Sequence, residues 1–223
     1  MTAGIVAARA VLDAGIDTGF GHWIHSAQVA YRGGSLDGTA LATAITDRET
    51  GAETAFRAVS VMQRDRVVAR GQVSFEAPSF GAHAEELVGM GDNPDPYSVP
   101  AVRSPATPAE FPVDIRPIDD NGRTWVRFRN ELPDDLLVHV AALALTVDPV
   151  VAGALHDYGD YQPIHYGLWI HRCFRADDWV LLSQTGSRAY GHRTFFTYAL
   201  SSSHGREIAT VAQEVRLFRR IAP

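Results

Sequence analysis

Seven of the twelve prolines lie between residues 77 and 112: Pro78, Pro94, Pro96, Pro100, Pro105, Pro108 and Pro112. Proline fixes φ and carries no amide hydrogen, so this stretch can form neither a helix nor a central strand. With Gly89, Gly91 and several acids, it reads as a linker running over the surface. The chain is thereby divided into residues 1–76, a linker at 77–112, and residues 113–223.

The two flanking parts repeat one order of patterns. Residues 3–14 are small, apolar helix formers, with Gly15 as the stop. Strand patterns follow at 26–32, 38–48, 53–63 and 66–76, separated by Gly33-Gly34, Thr50-Gly51 and Arg64-Asp65. In the second part, strand patterns at 113–117 and 123–129 come first. Asn130-Glu131-Leu132-Pro133-Asp134-Asp135 then reads as a helix entrance, with acids that complement the helix dipole. An apolar helix is expected from Leu136 to about Val147, and Pro149 leaves open a kinked continuation. Strands recur at 163–172, 178–187, 190–201 and 206–218. Arg66-Val67-Val68-Ala69 and Arg206-Glu207-Ile208-Ala209 each open a final strand, which gives a repeat near 140 residues. The expected architecture is α+β: an antiparallel sheet wrapped around one apolar helix, twice over. Joining the two sheets would bury edges that each alone exposes. The first repeat starts at its helix, without the two leading strands of the second.

A chain of 223 residues can bury a core of this kind. Its hydrophobic content of 46% and mean hydropathy of −0.08 are ordinary for a soluble protein. No apolar run approaches the roughly 18 residues that span a bilayer. Met1 to Asp13 lacks the basic start and apolar core of a signal peptide. The net charge is −6, and all 20 basic residues are arginines without a cluster, so nucleic acid is not an expected partner. Cys173 stands alone, which excludes a disulfide framework and makes a reducing cytoplasmic compartment the expectation. It reads as a half-buried packing residue in a strand. The pairs His22/His25 and His165/His171 make no metal constellation, and no metal is assigned. Trp169, Phe174, Trp179, Phe195 and Phe196 have strand-like spacing and read as packing residues. Arg32 reads as exposed, with a contact to a CoA phosphate as the alternative.

The run Tyr166-Gly167-Leu168-Trp169-Ile170-His171-Arg172-Cys173-Phe174 precedes Asp178-Trp179-Val180-Leu181-Leu182-Ser183. A last strand, Gly205 to Glu214, ends in Gln213-Glu214, read as a buried pair. This order resembles the C-terminal repeat of the acyl-CoA thioesterase II family, whose fold is a double hot-dog. Leu132-Pro133-Asp134-Asp135-Leu136-x-Val138-His139 looks like that family's helix entrance, and Phe75-x-Ala77-Pro78 like the end of its first repeat. The resemblance covers roughly residues 3–220. It implies a double hot-dog acting on an acyl-CoA or acyl-carrier thioester, with no cofactor beyond the substrate's own CoA, no membrane partner, and a homo-oligomeric state. In the family an Asp, a Thr and a Gln hold a water against the thioester. By position, the Asp falls on Asp148 and the Gln on Gln213, whereas the Thr falls on Pro163.

Proline has neither a hydroxyl nor an amide hydrogen to offer a water or an oxyanion. The neighbours that could replace the threonine are Tyr161, Gln162, His165 and Tyr166, with Gln162 and His165 as the leading candidates. Strand alternation would set His165 on the same side as Pro163, where it could act as base or donor; a solvated or packed histidine is the favoured alternative. A carboxylate at Asp148, near the end of an apolar helix, is costly unless it is hydrogen-bonded or serves a water. The structural alternative is an Asp-Pro pair at a helix kink. Gln213 can both donate and accept, which suits fixing a water; a hydrogen-bonded core amide is the alternative. Hydrolysis is thus expected from Asp148 and Gln213. Acyl-thioester binding with little hydrolysis, serving binding itself or another acyl-chain step such as hydration or cyclisation, is the alternative that Pro163 favours.

Overall fold

The computed structural model describes residues 3–15, 23–33, 40–77, 93–101, 112–119, 122–155 and 160–218. Helix α1 (Ala3–Gly15) is followed by β1 (Trp23–Tyr31), β2 (Leu41–Thr50), β3 (Thr54–Gln63) and β4 (Arg66–Glu76). The second part runs β5 (Val113–Pro117), β6 (Arg123–Phe128), α2 (Leu136–Ala154), β7 (Tyr161–Ile170), β8 (Val180–Tyr190), β9 (Arg193–Ser202) and β10 (Glu207–Leu217). The strands form one antiparallel sheet in the order β2-β3-β4-β1-β7-β10-β9-β8-β6-β5. This is the double hot-dog arrangement. Four strands come from the first part and six from the second, in line with the asymmetry read in the sequence.

The seam between the parts is β1 against β7, with Ser26–Ala30 in register with His165–Trp169. Pairing there removes two exposed strand edges. Val29 of β1, Leu168 of β7 and Val211 of β10 enter one continuous core with both helices.

Helix α2 starts at Asp135, whose carboxylate accepts a hydrogen bond from the Leu137 amide at 2.8 Å. It continues through Pro149 to Ala154, well beyond Val147. At 19 residues and a mean hydropathy of 1.9 it is long and apolar enough to cross a membrane, which corrects the reading that no run approaches that length. Two thirds of that stretch, 67%, is buried inside the protein, as befits a core helix.

The two helices run antiparallel and touch closely at glycines. Gly4 of α1 lies against the Ala144 carbonyl of α2, and Gly15 against Leu137. Small side chains (Ala3, Ala7, Ala10 and Ala14, all buried) make this approach possible.

Part of the proline-rich stretch is pinned to the protein. A single 3-10 turn, Pro96–Ser98, is capped by Asp95. The Trp125 indole N–H donates to the Pro94 carbonyl at 3.1 Å, and the Arg116 guanidinium donates to the carbonyls of Pro96 and Val99. Trp125, Trp179 and Leu181 form a second, smaller cluster. Strand alternation sets it on the opposite face from Val126 and Leu182, which belong to the main core. The turn therefore covers apolar surface on the outside of the sheet.

Among the aromatic residues read as packing, Phe196 and Trp179 are buried, whereas Phe195 is exposed on the outer face. Cys173 lies beyond the end of β7 and is exposed, which corrects its reading as a half-buried strand residue. Arg32 is exposed.

Gly4→Ala tests the helix contact. The substitution favours an isolated helix by roughly 1 kcal/mol. Its methyl would lie 2.5 Å from the Ala144 carbonyl oxygen and 3.1 Å from the Leu145 Cα, both backbone atoms. Overpacking of that kind costs about 1–3 kcal/mol. The net change expected in urea unfolding is therefore a loss of stability.

Candidate active site

Asp148 of α2 is 1% exposed. Its Cβ stands against the first turn of α1, 3.1 Å from where a methyl on Gly4 would sit. The amide ends of the α1 peptide dipoles collect at that turn, and their sign suits a nearby carboxylate.

Three phenols surround this carboxylate electrostatically. Burial raises the Tyr31 hydroxyl well above the usual phenol range, and the Asp148 charge and Tyr166 raise it further. Burial, and then Asp148, push the Tyr161 and Tyr166 hydroxyls up in the same way. Tyr31 belongs to β1, and Tyr161 and Tyr166 belong to β7. The acid thus sits at the seam where the two repeats meet. The Tyr31 hydroxyl donates to the Ala3 carbonyl at 2.6 Å. The Tyr166 hydroxyl is buried with no hydrogen-bond partner among the described residues.

Gln213 is fully buried, as are Val211 and Val215 beside it on the inner face of β10. Neither its amide oxygen nor its amide nitrogen has a hydrogen-bond partner among the described residues. It pairs directly with Tyr166 across the β10–β7 ladder and with Phe196 across β9–β10. Tyr166 is thus side by side with Gln213 on the sheet and within the field of Asp148.

The Gln213-Glu214 pair is not buried together. Successive strand residues face opposite ways, and Glu214 points outward to accept from Arg193 at 3.1 Å and to meet His165 Nδ1 at 2.9 Å. The hydrogen bond from His165, more than that from Arg193, holds the Glu214 carboxyl below the usual carboxylate range.

Position 163 departs from simple alternation. Glu214 pairs with His165 and Val215 with Pro163, so Ile164 is an extra residue opposite the β10 step. Such a β-bulge leaves one residue unmatched and reverses the side-chain alternation beyond it. Pro163 is buried beside Val215, and Tyr166 is buried beside Gln213. His165 is turned to the outer face, with its side chain 60% exposed. The expectation that His165 shares a side with Pro163 fails for this reason. Gln162 is in register with exposed Arg216, also on the outer side, and packs beside Gly33. Asp148 lies within electrostatic reach of Tyr161 and Tyr166, and Gln213 is the ladder neighbour of Tyr166, whereas Gln162 and His165 are turned outward. Tyr31 lies within that reach of Asp148 as well, though nothing in its local sequence signals it.

A cleft of about 290 Å³ lies between the C-terminal half of α2 and strands β5, β6, β8 and β9, and its wall includes Pro149, the residue after Asp148. Ile115, Pro117, Pro149, Val150, Gly153 and Tyr198 are among the residues that line it. Among the described residues, no group of three or more His, Cys, Asp or Glu is placed to hold a metal ion.

A family model described as the acyl-CoA thioesterase C-terminal domain matches residues 78–217. The acyl-CoA thioesterase II TesB2 from Mycobacterium marinum superposes with a TM-score of 0.78 at 23% identity, over 98% of this chain and 89% of that one. The TesB protein of Mycobacterium avium subspecies paratuberculosis gives 0.75 at 19% identity, over 96% and 86%. A hot-dog protein of unknown function from Alicyclobacillus acidocaldarius gives 0.75 at 20%, over 99% and 87%. At these identities the superpositions establish the fold.

The phenols make a pH prediction. Tyr31, Tyr161 and Tyr166 have hydroxyls raised in the folded state. Their contribution to stability is whole below the ordinary phenol value of about 10 and is lost as pH rises above it. Urea unfolding at several pH values should therefore show stability falling as pH rises past the ordinary phenol value of about 10. A stability that stays flat through that range would mean that the three hydroxyls ionise as readily in the folded protein as in the unfolded chain.

Proposed function

The chain belongs to the acyl-CoA thioesterase family, and we propose that it hydrolyses an acyl-CoA or carrier-bound acyl thioester with a water held between Asp148 and Gln213. The observation that carries this reading is Gln213. An amide enclosed among valines, with both polar atoms lacking a hydrogen-bond partner among the described residues, is costly. A bound water or substrate oxygen would satisfy it. The acid that would take a proton from such a water acts electrostatically on Tyr166, the cross-strand neighbour of Gln213, which supports this reading.

In the proposed reaction, Gln213 orients the water and Asp148 accepts its proton as the oxygen adds to the thioester carbonyl carbon. The C–S bond then breaks and the sulfur leaves with the proton held by Asp148. The products are a carboxylic acid and a free thiol, with no covalent enzyme intermediate. The apolar cleft whose wall begins at Pro149, the residue after Asp148, would take the acyl chain.

A second reading, acyl-thioester binding with little hydrolysis, is favoured by Pro163, which occupies a buried position on the inner face without a hydroxyl. Thiol release from butyryl-, octanoyl- and palmitoyl-CoA separates the two. Turnover in the wild type and a fall in kcat of about 100-fold or more in Asp148→Asn are expected, since a positioned acid–base group contributes roughly 10²–10⁴. His165→Ala should leave turnover unchanged. Binding without turnover in the wild type would establish the second reading, and an active Asp148→Asn would remove the base.

Gly153→Leu tests the cleft. The added side chain should lower kcat/KM for palmitoyl-CoA by about 10-fold or more, the scale of a lost hydrophobic pocket contact. Butyryl-CoA should be little affected. Equal losses for both substrates would place the acyl chain elsewhere.

A further inference from the structure

We propose that the phenol of Tyr166 is the catalytic donor that stabilises the oxyanion formed on the thioester carbonyl, in a site whose expected hydroxyl is replaced by Pro163. This rests on the hydrolytic reading above and adds a residue to it. Three independent observations converge on Tyr166. Its hydroxyl is buried and has no hydrogen-bond partner among the described residues, so a donor stands unused in the interior. Its partner across the ladder is Gln213, whose amide is in the same condition. It reaches the inner face only because Ile164 is an extra residue: with regular alternation from Pro163, residue 166 would face outward. Bulges of this kind re-aim side chains beside active sites.

The other phenols of the group fit the role less well. The Tyr31 hydroxyl already donates to the Ala3 carbonyl. Tyr161 is only partly buried and pairs with Leu217, away from Gln213. Gln162 and His165 face the outer side of the sheet.

The chemistry balances without a further reagent. Water adds to the carbonyl carbon while Asp148 takes one of its protons, and the carbonyl oxygen becomes an oxyanion. The Tyr166 O–H donates a hydrogen bond to that oxygen and keeps its own proton throughout. The carbonyl re-forms as the C–S bond breaks, and the sulfur takes the proton from Asp148. A donor of this kind must stay protonated, and the burial that raises the Tyr166 hydroxyl ensures that at neutral pH. The hydrogen bond is available to the ground-state carbonyl but strengthens as charge develops, which is the condition for raising kcat.

Tyr166→Phe removes one oxygen and keeps the ring. Octanoyl-CoA hydrolysis should fall by roughly 100- to 1,000-fold in kcat, the loss typical of one oxyanion donor, with KM nearly unchanged. Urea unfolding should show no loss of stability, because the hydroxyl removed has no hydrogen-bond partner among the described residues to strand. A second measurement does not depend on turnover. Calorimetry compares the α,α-difluoromethylene ketone analogue of octanoyl-CoA, whose carbonyl carbon becomes tetrahedral on hydration, with the plain thioether analogue. The wild type should prefer the ketone, and Tyr166→Phe should lose most of that preference. A Tyr166→Phe protein with wild-type kcat and an intact preference, beside an inactive Asp148→Asn, would overturn Tyr166 alone and leave hydrolysis standing. A wild type that binds the thioether but hydrolyses no acyl-CoA would overturn the hydrolytic reading, and Tyr166 as its donor with it.

Discussion

A 19-residue helix with a mean hydropathy of 1.9 has no face suited to water, and the architecture is a solution to hiding it. Burial of apolar surface at roughly 25 cal/mol per Å² drives the packing. The sheet supplies one wall, and α1 supplies another by bringing glycine and alanine close enough for near-backbone contact. The same enclosure defines the site. A carboxylate on a helix so well covered must find compensation, and the first turn of α1 and the phenols of both repeats provide the polar surroundings.

The β1–β7 seam explains why the site draws on both repeats. Tyr31 and Tyr166 lie on adjacent strands that belong to different repeats, and α1 of one repeat abuts Asp148 of the other. Neither half carries the whole constellation. Among the described residues, the apolar cleft is lined from the second repeat: β5 and β6, the two strands without counterparts in the first, form one of its sides. The asymmetry between repeats thus coincides with a division of labour, in which the seam holds the polar groups and the six-stranded part holds the cavity.

Much of this was legible in the sequence because it depends on local periodicity. Strand positions were read to within a few residues, as was the start of α2 at the Asp135 cap. The inward aim of Gln213 follows from its alternation with Val211 and Val215. What could not be read depends on a count of one. The extra residue at Ile164 is invisible to a pattern of period two, and it exchanges His165 for Tyr166 on the inner face. Tyr31 was hidden for a different reason: its place near Asp148 comes from strand pairing between distant segments, which no local signal encodes. The outer cluster of Trp125 and Trp179 escaped notice because its cover comes from the proline-rich stretch, which looks like a spacer until Arg116 and Trp125 are seen to hold it.

The seam also dictates an order of events during synthesis. Ala27 pairs with Val73 inside its own repeat, but its other neighbour is Leu168, roughly 140 residues downstream. At translation speeds of about 5–20 residues per second, that partner emerges some 7–28 seconds after β1. For that interval the nascent first repeat carries an open strand edge of the type that recruits stray chains. Completion of the protein closes the gap from within, which makes the newborn chain, more than the finished one, the form that needs guarding against aggregation.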